Sequence, residues 1–226
     1  MSYDWVFLDA DGTLFDYQAA QAAAIEGAFD ACGLRFEPTI GALYNRINET
    51  IWREYERGEI GQQALKAERF RRLFAELGVT GDAEVFSERY LRILGRQAGL
   101  LDGAESVVRT LAGRARLLLL TNGIAEVQRP RFAAAPIRDW IAEVVISGEV
   151  GAAKPDPAIF DHALERAGRP ARDTVLMVGD NLISDIAGGA GSGLDTCWYN
   201  PVAHPNGHGI APTYEIRRLS ELLEIV

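Results

Sequence analysis

Two cysteines, two methionines and three histidines in 226 residues exclude several kinds of chemistry at the outset. Cys32 and Cys197 are too few to staple a disulfide framework, so burial must hold the fold, and a reducing compartment suits it. His162, His204 and His208 stand without further ligands at zinc-like spacing, which speaks against a zinc centre. Positive charge is also short: 23 Lys and Arg against 32 Asp and Glu give a formal net charge of −9. Such a chain has no general attraction for nucleic acid or for an anionic membrane. An anionic ligand would have to find its cation locally, in a metal, a lysine or a helix N-terminus. Long apolar runs are missing as well. The longest aliphatic stretch, residues 117–120, is far below the roughly 20 residues that cross a bilayer. Residues 1–12 carry acids where a secretory signal needs basic residues and then an apolar run. A cytoplasmic protein is expected. Internal repeats and low-complexity tracts are absent too.

What remains is an ordinary globular composition, 48% hydrophobic and 24% charged. Residues 4–9 read as a short buried strand. Residues 17–33, 37–58, 61–78 and 81–97 then read as amphipathic helices, with Gly33, Gly58, Gly78 and Gly81 placed where helices stop. Beyond residue 98 the texture alternates. Apolar strands are expected at 115–122, 142–147, 174–180 and 194–199, and helices at 104–112, 157–167, 183–189 and 216–226. Continuous apolar strands alternating with helices indicate a parallel sheet covered on both faces. The expected fold is α/β: a doubly wound, Rossmann-like parallel sheet built from residues 1–16 and 98–226. An all-helical domain, residues 17–97, is inserted after the first strand.

In open α/β sheets the ligand lies at the carboxyl ends of the strands. Those ends read "FLDADGT", "LLTNG", "VISGEVGAAKPD" and "MVGDNLISD". Asp9 and Asp11 can face one cavity with Asp180 and Asp185. So many carboxylates repel one another unless a hard divalent cation joins them, and Mg²⁺ suits a few carboxylates with phosphate oxygens. Lys154 and the Thr121 hydroxyl, with Asn122 beside it, then make a slot for a phosphoryl group. In such a slot one aspartate can attack phosphorus while the second serves as acid and then base. Two other stretches have bland readings. The glycines of 188–193 lack a phosphate-loop pattern and follow a helix, so they are expected to be a stop and a turn. Trp52, Arg53 and Tyr55 could engage a base and sugar, but aromatics at helical spacing predict core.

Taken in order, "DADGT", "TNG", "AAKPD" and "GDNLISD" resemble the signature of the haloacid dehalogenase superfamily of phosphohydrolases, over the whole chain. Stretches such as "WREYERGEI", "TNGIAEVQ" and "VVISGEVGAAKPDPAIF" look most like its bacterial house-cleaning pyrimidine 5′-nucleotidases, although Gly12 stands where those often carry an acid. The resemblance implies an aspartyl-phosphate mechanism in which Asp9 is nucleophile and Mg²⁺ ligand. Asp11 would be acid/base and lend its carbonyl to the metal. Thr121, Asn122 and Lys154 would hold phosphate, with Asp180, and Asp185 directly or through water, completing the metal site. The helical insertion would be the cap that chooses the substrate, a small phosphate ester. A phosphatase for phosphoglycolate or a sugar phosphate, and a sugar-phosphate mutase, would keep the same motifs. A 2-haloacid dehalogenase would need neither Asp11 nor Asp180, and a non-catalytic binding protein could dispense with Asp9.

Overall fold

Six strands, β1 Trp5–Leu8, β2 Arg116–Thr121, β3 Glu143–Ile146, β4 Val175–Gly179, β5 Asp195–Tyr199 and β6 Tyr214–Ile216, pair in the order β3-β2-β1-β4-β5-β6. Every pairing is parallel. In this computed structural model, residues 3–226 are described. The strands are apolar along nearly their whole length because both faces of the sheet are covered. On one face Val6, Leu8, Leu117, Leu119, Leu176 and Val178 pack with Val107, Val108 and Leu111 of the helix Ala104–Leu111. On the other, Trp5, Phe7, Leu118, Leu120 and Met177 meet Ile159, Phe160, Ala163 and Leu164 of the helix Pro157–Arg166. Burying each such leucine or phenylalanine contributes about 1.5–3 kcal/mol. The strand order reverses beside β1, which has β2 on one side and β4 on the other. A crevice opens outside the carboxyl ends at such a reversal.

The described residues form two compact units. One comprises the chain up to Tyr17 with Ala98–Ala125 and Phe132–Val226; the other comprises Gln18–Gln97 with Glu126–Arg131. The second unit is helical: α1 Tyr17–Ala31, α2 Pro38–Glu56, α3 Gln62–Leu77 and α4 Ala83–Leu94. Gly78 ends α3 in the left-handed conformation at φ 62°, the stop that glycine permits most cheaply. Gly81 plays a different part from the one expected. It precedes Asp82, whose carboxylate caps α4 by accepting from the N–H groups of Glu84 and Val85. The interior is aromatic: Phe29 meets Phe86 edge-on at 5.2 Å, and Tyr44 stacks on Phe70 at 5.4 Å. Trp52 and Tyr55 also meet edge-on, but both are only half-buried and Arg53 is exposed. The expectation that they belong to the helical core therefore fails.

Three further elements differ from expectation. The helix Ala125–Ala134 was hidden by Pro130 in its interior, which costs an i−4 hydrogen bond. β6 has only three residues and follows a Pro- and Gly-rich loop, too short to show a period. The last helix is correspondingly shorter than 216–226, running as a tight turn Leu219–Glu221 into Leu222–Ile225. Cys197 is buried in β5 and Cys32 half-buried, both as free thiols. Among the described residues no helix is long and apolar enough to cross a membrane.

Candidate active site

Asp9 is the residue at which β1 leaves the sheet. Its N–H donates to Val178 O of β4 at 2.9 Å, and the chain then turns sharply. Leu14 and Phe15 both donate N–H to Ala10 O, while Gly12 N–H reaches back to Phe15 O at 3.1 Å. Gly12 holds φ 88°, a backbone shape that favours glycine. A Cβ there would also overlap the Asp180 carboxylate. This loop leaves Asp9 nearly buried and Asp11 half-buried beside it. Thr13, fully buried, donates its hydroxyl to Asp9 Oδ2 at 3.3 Å.

Lys154 enters from the loop after β3 and is 1% exposed. Its Nζ donates to Asp9 Oδ1 at 2.6 Å, Asp185 Oδ1 at 2.7 Å and Leu120 O at 2.7 Å. An ammonium has three donors, so all are engaged by protein. None of these N–H groups is left over for a ligand, so charge is what Lys154 would chiefly offer one. Asn122 holds that lysine in place: its amide accepts from Lys154 N–H and donates to Lys154 O, each at 2.7 Å. Sequence reading grouped Asn122 with the phosphate contacts, whereas its side chain is occupied with the Lys154 backbone. Thr121, 2% exposed, closes β2 next to it.

β4 delivers Asp180, and a turn of π-helix, Leu182–Ala187, delivers Asp185. Expected as an ordinary helix, this turn is wider, a form common at functional sites. Asn181 caps it by accepting from the N–H groups of Ile183 and Ser184. Asp185 is 1% exposed; its Oδ2 accepts from Asn181 N–H at 3.0 Å while its Oδ1 holds Lys154. Gly179 makes room for it, since a Cβ there would overlap the Asp185 side chain. Oxygens of Asp9, Asp180 and Asp185 converge within 4.8 Å of one another.

These acids are out of balance. Burial pushes the Asp9 carboxyl up to about 7; Lys154 opposes the shift, and the charges of Asp185 and Asp11 add to it. Asp180 keeps some solvent access, yet protein crowds its carboxyl, and that crowding together with Asp9 and Asp185 raises it well above the ordinary range. Lys154 is raised as well, which for an amine means that it stays charged. Burial alone would lower it, but Asp185 and Asp9 together keep it charged and raised.

Residues 3–193 match the haloacid dehalogenase-like hydrolase family. The chain belongs to that family. As a haloacid dehalogenase-like hydrolase it is 36% identical over its full length to the pyrimidine 5′-nucleotidase YjjG of Escherichia coli, covering 99% of that protein. It is 32% identical to the pyrimidine 5′-nucleotidase PynA of Streptococcus pneumoniae, over 99% of this chain and 95% of that one. The magnesium-bound crystal structure of the HAD-hydrolase YfnB from Bacillus subtilis superposes with a TM-score of 0.94 at 33% identity, covering 100% of this chain and 99% of that one.

The donors of this hydrolase fit a hard divalent cation. Three converging carboxylates offer only oxygen, two of them are raised by crowding, and a cation would relieve both. Sequence reading missed four supports of the site: Thr13, Gly179, the lysine-holding role of Asn122, and Trp198, whose indole Nε1–H donates to Asp180 O at 3.0 Å. Thr13, Gly179 and Asn122 stand inside quoted motifs, whereas Trp198 does not.

Proposed function

We propose that this hydrolase is a Mg²⁺-dependent phosphomonoesterase working through an aspartyl-phosphate, a 5′-nucleotidase for pyrimidine nucleoside monophosphates in the cytoplasm. The observation that carries the chemistry is the Lys154 ammonium set between Asp9 and Asp185, which fixes one oxygen of a buried carboxylate at a strand end. The substrate class rests on full-length likeness to two pyrimidine 5′-nucleotidases.

The residues divide the work as follows. The Asp9 carboxylate attacks phosphorus, and the bond from phosphorus to the ester oxygen breaks. Asp11 gives its proton to the leaving alcohol oxygen. It then takes a proton from water as that water attacks the phosphorus of the aspartyl-phosphate, releasing inorganic phosphate and restoring Asp9. Acid–base help of this kind is worth roughly 10²- to 10⁴-fold. Thr121 and the charge of Lys154 steady the phosphoryl oxygens, and Asn122 holds Lys154 to that position. Asp9, Asp180 and Asp185, with the Asp11 carbonyl, would hold the Mg²⁺. When bound, that ion supplies charge to the phosphoryl oxygens and keeps Asp9 ionised. Residues 17–97, as the cap, would select the leaving group.

Phosphate release from UMP, dUMP, dTMP, AMP, phosphoglycolate and several sugar phosphates, with Mg²⁺ and with chelator, tests this beside Asp9→Asn. The expected result is metal-dependent release, strongest on the pyrimidine monophosphates and absent in the variant. Release concentrated on phosphoglycolate or a sugar phosphate would keep the chemistry and overturn the substrate class. Release undiminished in Asp9→Asn would overturn the chemistry.

A further inference from the structure

The peptide unit that joins Asp180 to Asn181 is gripped at both ends. Its carbonyl accepts the Trp198 indole N–H at 3.0 Å, and its N–H donates to Asp185 Oδ2 at 3.0 Å. Asp180 lies one residue past the end of β4, where the sheet ladder no longer supplies a partner for its carbonyl. Trp198 is placed to serve because it pairs in register with Gly179 on the neighbouring strand. Along β5, Cys197 and Tyr199 turn to one face of the sheet. Trp198 turns to the other and packs with Leu182, Ile186 and Ile210. It is 4% exposed, so the indole is fixed by packing and its one donor has a single destination. Holding this peptide plane sets the backbone of Asp180 and, with it, the direction in which the carboxylate leaves the chain.

We propose that Trp198 is a positioning residue for the divalent-cation site, aiming the Asp180 carboxylate by clamping the Asp180–Asn181 peptide opposite Asp185. The inference rests on the reading of Asp180 as a metal ligand. It goes beyond that reading in assigning metal affinity to a side chain that offers the ion no ligand. The same indole packs on Ile210, in the loop that carries His204 and His208, so the cation site and the foot of that loop share one anchor.

The test is calorimetric titration of the metal-free protein with Mg²⁺ in four forms: wild type, Asp180→Asn, Trp198→Phe and Ile210→Ala. Trp198→Phe keeps an aromatic ring and removes the donor; Ile210→Ala loosens the same packing and keeps it. Loss of one orienting hydrogen bond is expected to weaken Mg²⁺ binding roughly three- to ten-fold in Trp198→Phe. Ile210→Ala should bind as wild type does. Unchanged affinity in Trp198→Phe, while Asp180→Asn loses binding, overturns this inference and leaves the metal reading standing. Equal weakening in Ile210→Ala also overturns it, because packing rather than the donor would then be responsible. Wild-type affinity in Asp180→Asn overturns both. If Trp198→Phe does not fold, the indole N–H signals of the four tryptophans in the wild-type protein serve instead. One must shift with Mg²⁺ at the calorimetric affinity, and its persistence in Trp5, Trp52 and Trp140 variants must identify it as Trp198. A titration that moves none of the four overturns the proposal.

Discussion

Replacing Asp9 by Asn removes the group whose ionisation the fold resists, and the effect on stability follows from its surroundings. Burial moves the carboxyl from an ordinary 3.8 to about 7. Between those values the folded chain binds about one more proton than the unfolded chain. Stability of the metal-free protein therefore falls as pH rises from about 4 to about 7, and is level above that. About three pKa units at about 1.4 kcal/mol each give up to about 4 kcal/mol. Asn has the shape of the neutral acid and never ionises. Metal-free Asp9→Asn is thus expected to be more stable than wild type at pH 8 by up to about 4 kcal/mol, the gap closing toward pH 4. At about 2–4 °C per kcal/mol for a chain of this size, the melting temperatures differ by up to roughly 8–16 °C. Mg²⁺ reverses the order, because a cation takes the place of the proton and stabilises only the ionised site. The wild-type gain from Mg²⁺ should grow between pH 5 and pH 8. Thermal unfolding by circular dichroism, in EDTA and in Mg²⁺ across that range, measures both effects. Equal melting temperatures in EDTA at pH 8, or a gap that widens toward acid, would refute the reasoning.

Two other substitutions probe the supports of the site. Gly179→Ala drives a methyl group into Asp185, which must release Lys154 or Asn181 N–H; a cost of about 1–3 kcal/mol is expected. Chemical denaturation reads that loss, and stability equal to wild type with full turnover would show that Asp185 has room to move. Lys154→Met leaves Asp9 and Asp185 without their shared cation, at about 3–5 kcal/mol near pH 8 and less near pH 5, where Asp9 takes up a proton. Turnover should fall at least about 10²-fold, since one charged group facing the phosphoryl oxygens is gone. Retained turnover under the same phosphate-release assay would remove Lys154 from the mechanism.

What could be read from the sequence was whatever carries charge or a period. Asp9 and Asp180 stand at the ends of apolar runs, Lys154 and Asp185 lie further along beyond two such ends, and parallel strands bring those ends to one edge. The four long helices declare themselves through amphipathic spacing, and Gly33, Gly58 and Gly78 follow the ends of the first three. The helix Ala125–Ala134 did not, because Pro130 argues against a helix by local rules and only tertiary packing overrides it. β6 did not, because three residues hold no period. The hold of the Asn122 side chain on Lys154 was also not legible. The place of Asn122 after Thr121 at a strand end suggested phosphate, while the partner of its side chain, Lys154, is 32 residues away in sequence. Trp198 gave no signal at all, since a tryptophan in an apolar strand reads as core and its single polar atom decides its role.

The charges of the site make one further point about why these residues occur together. Asp9, Asp180 and Asp185 carry three negative charges when ionised, Asp11 beside them adds a fourth, and Lys154 returns one. A divalent ion offsets most of that excess, and a monovalent one offsets less. Without the ion the fold meets the deficit by holding protons, which is why burial can push Asp9 to about 7 even with an ammonium at 2.6 Å. A protonated carboxyl is a poor nucleophile. On the proposed reading, the ion that balances the site would also be the ion that keeps Asp9 ionised for attack, so a phosphate ester arriving at the metal-free protein would meet a site too protonated to react. The proposed metal dependence would follow from the crowding of these acids around one lysine, which Gly12 and Gly179, by lacking side chains, allow.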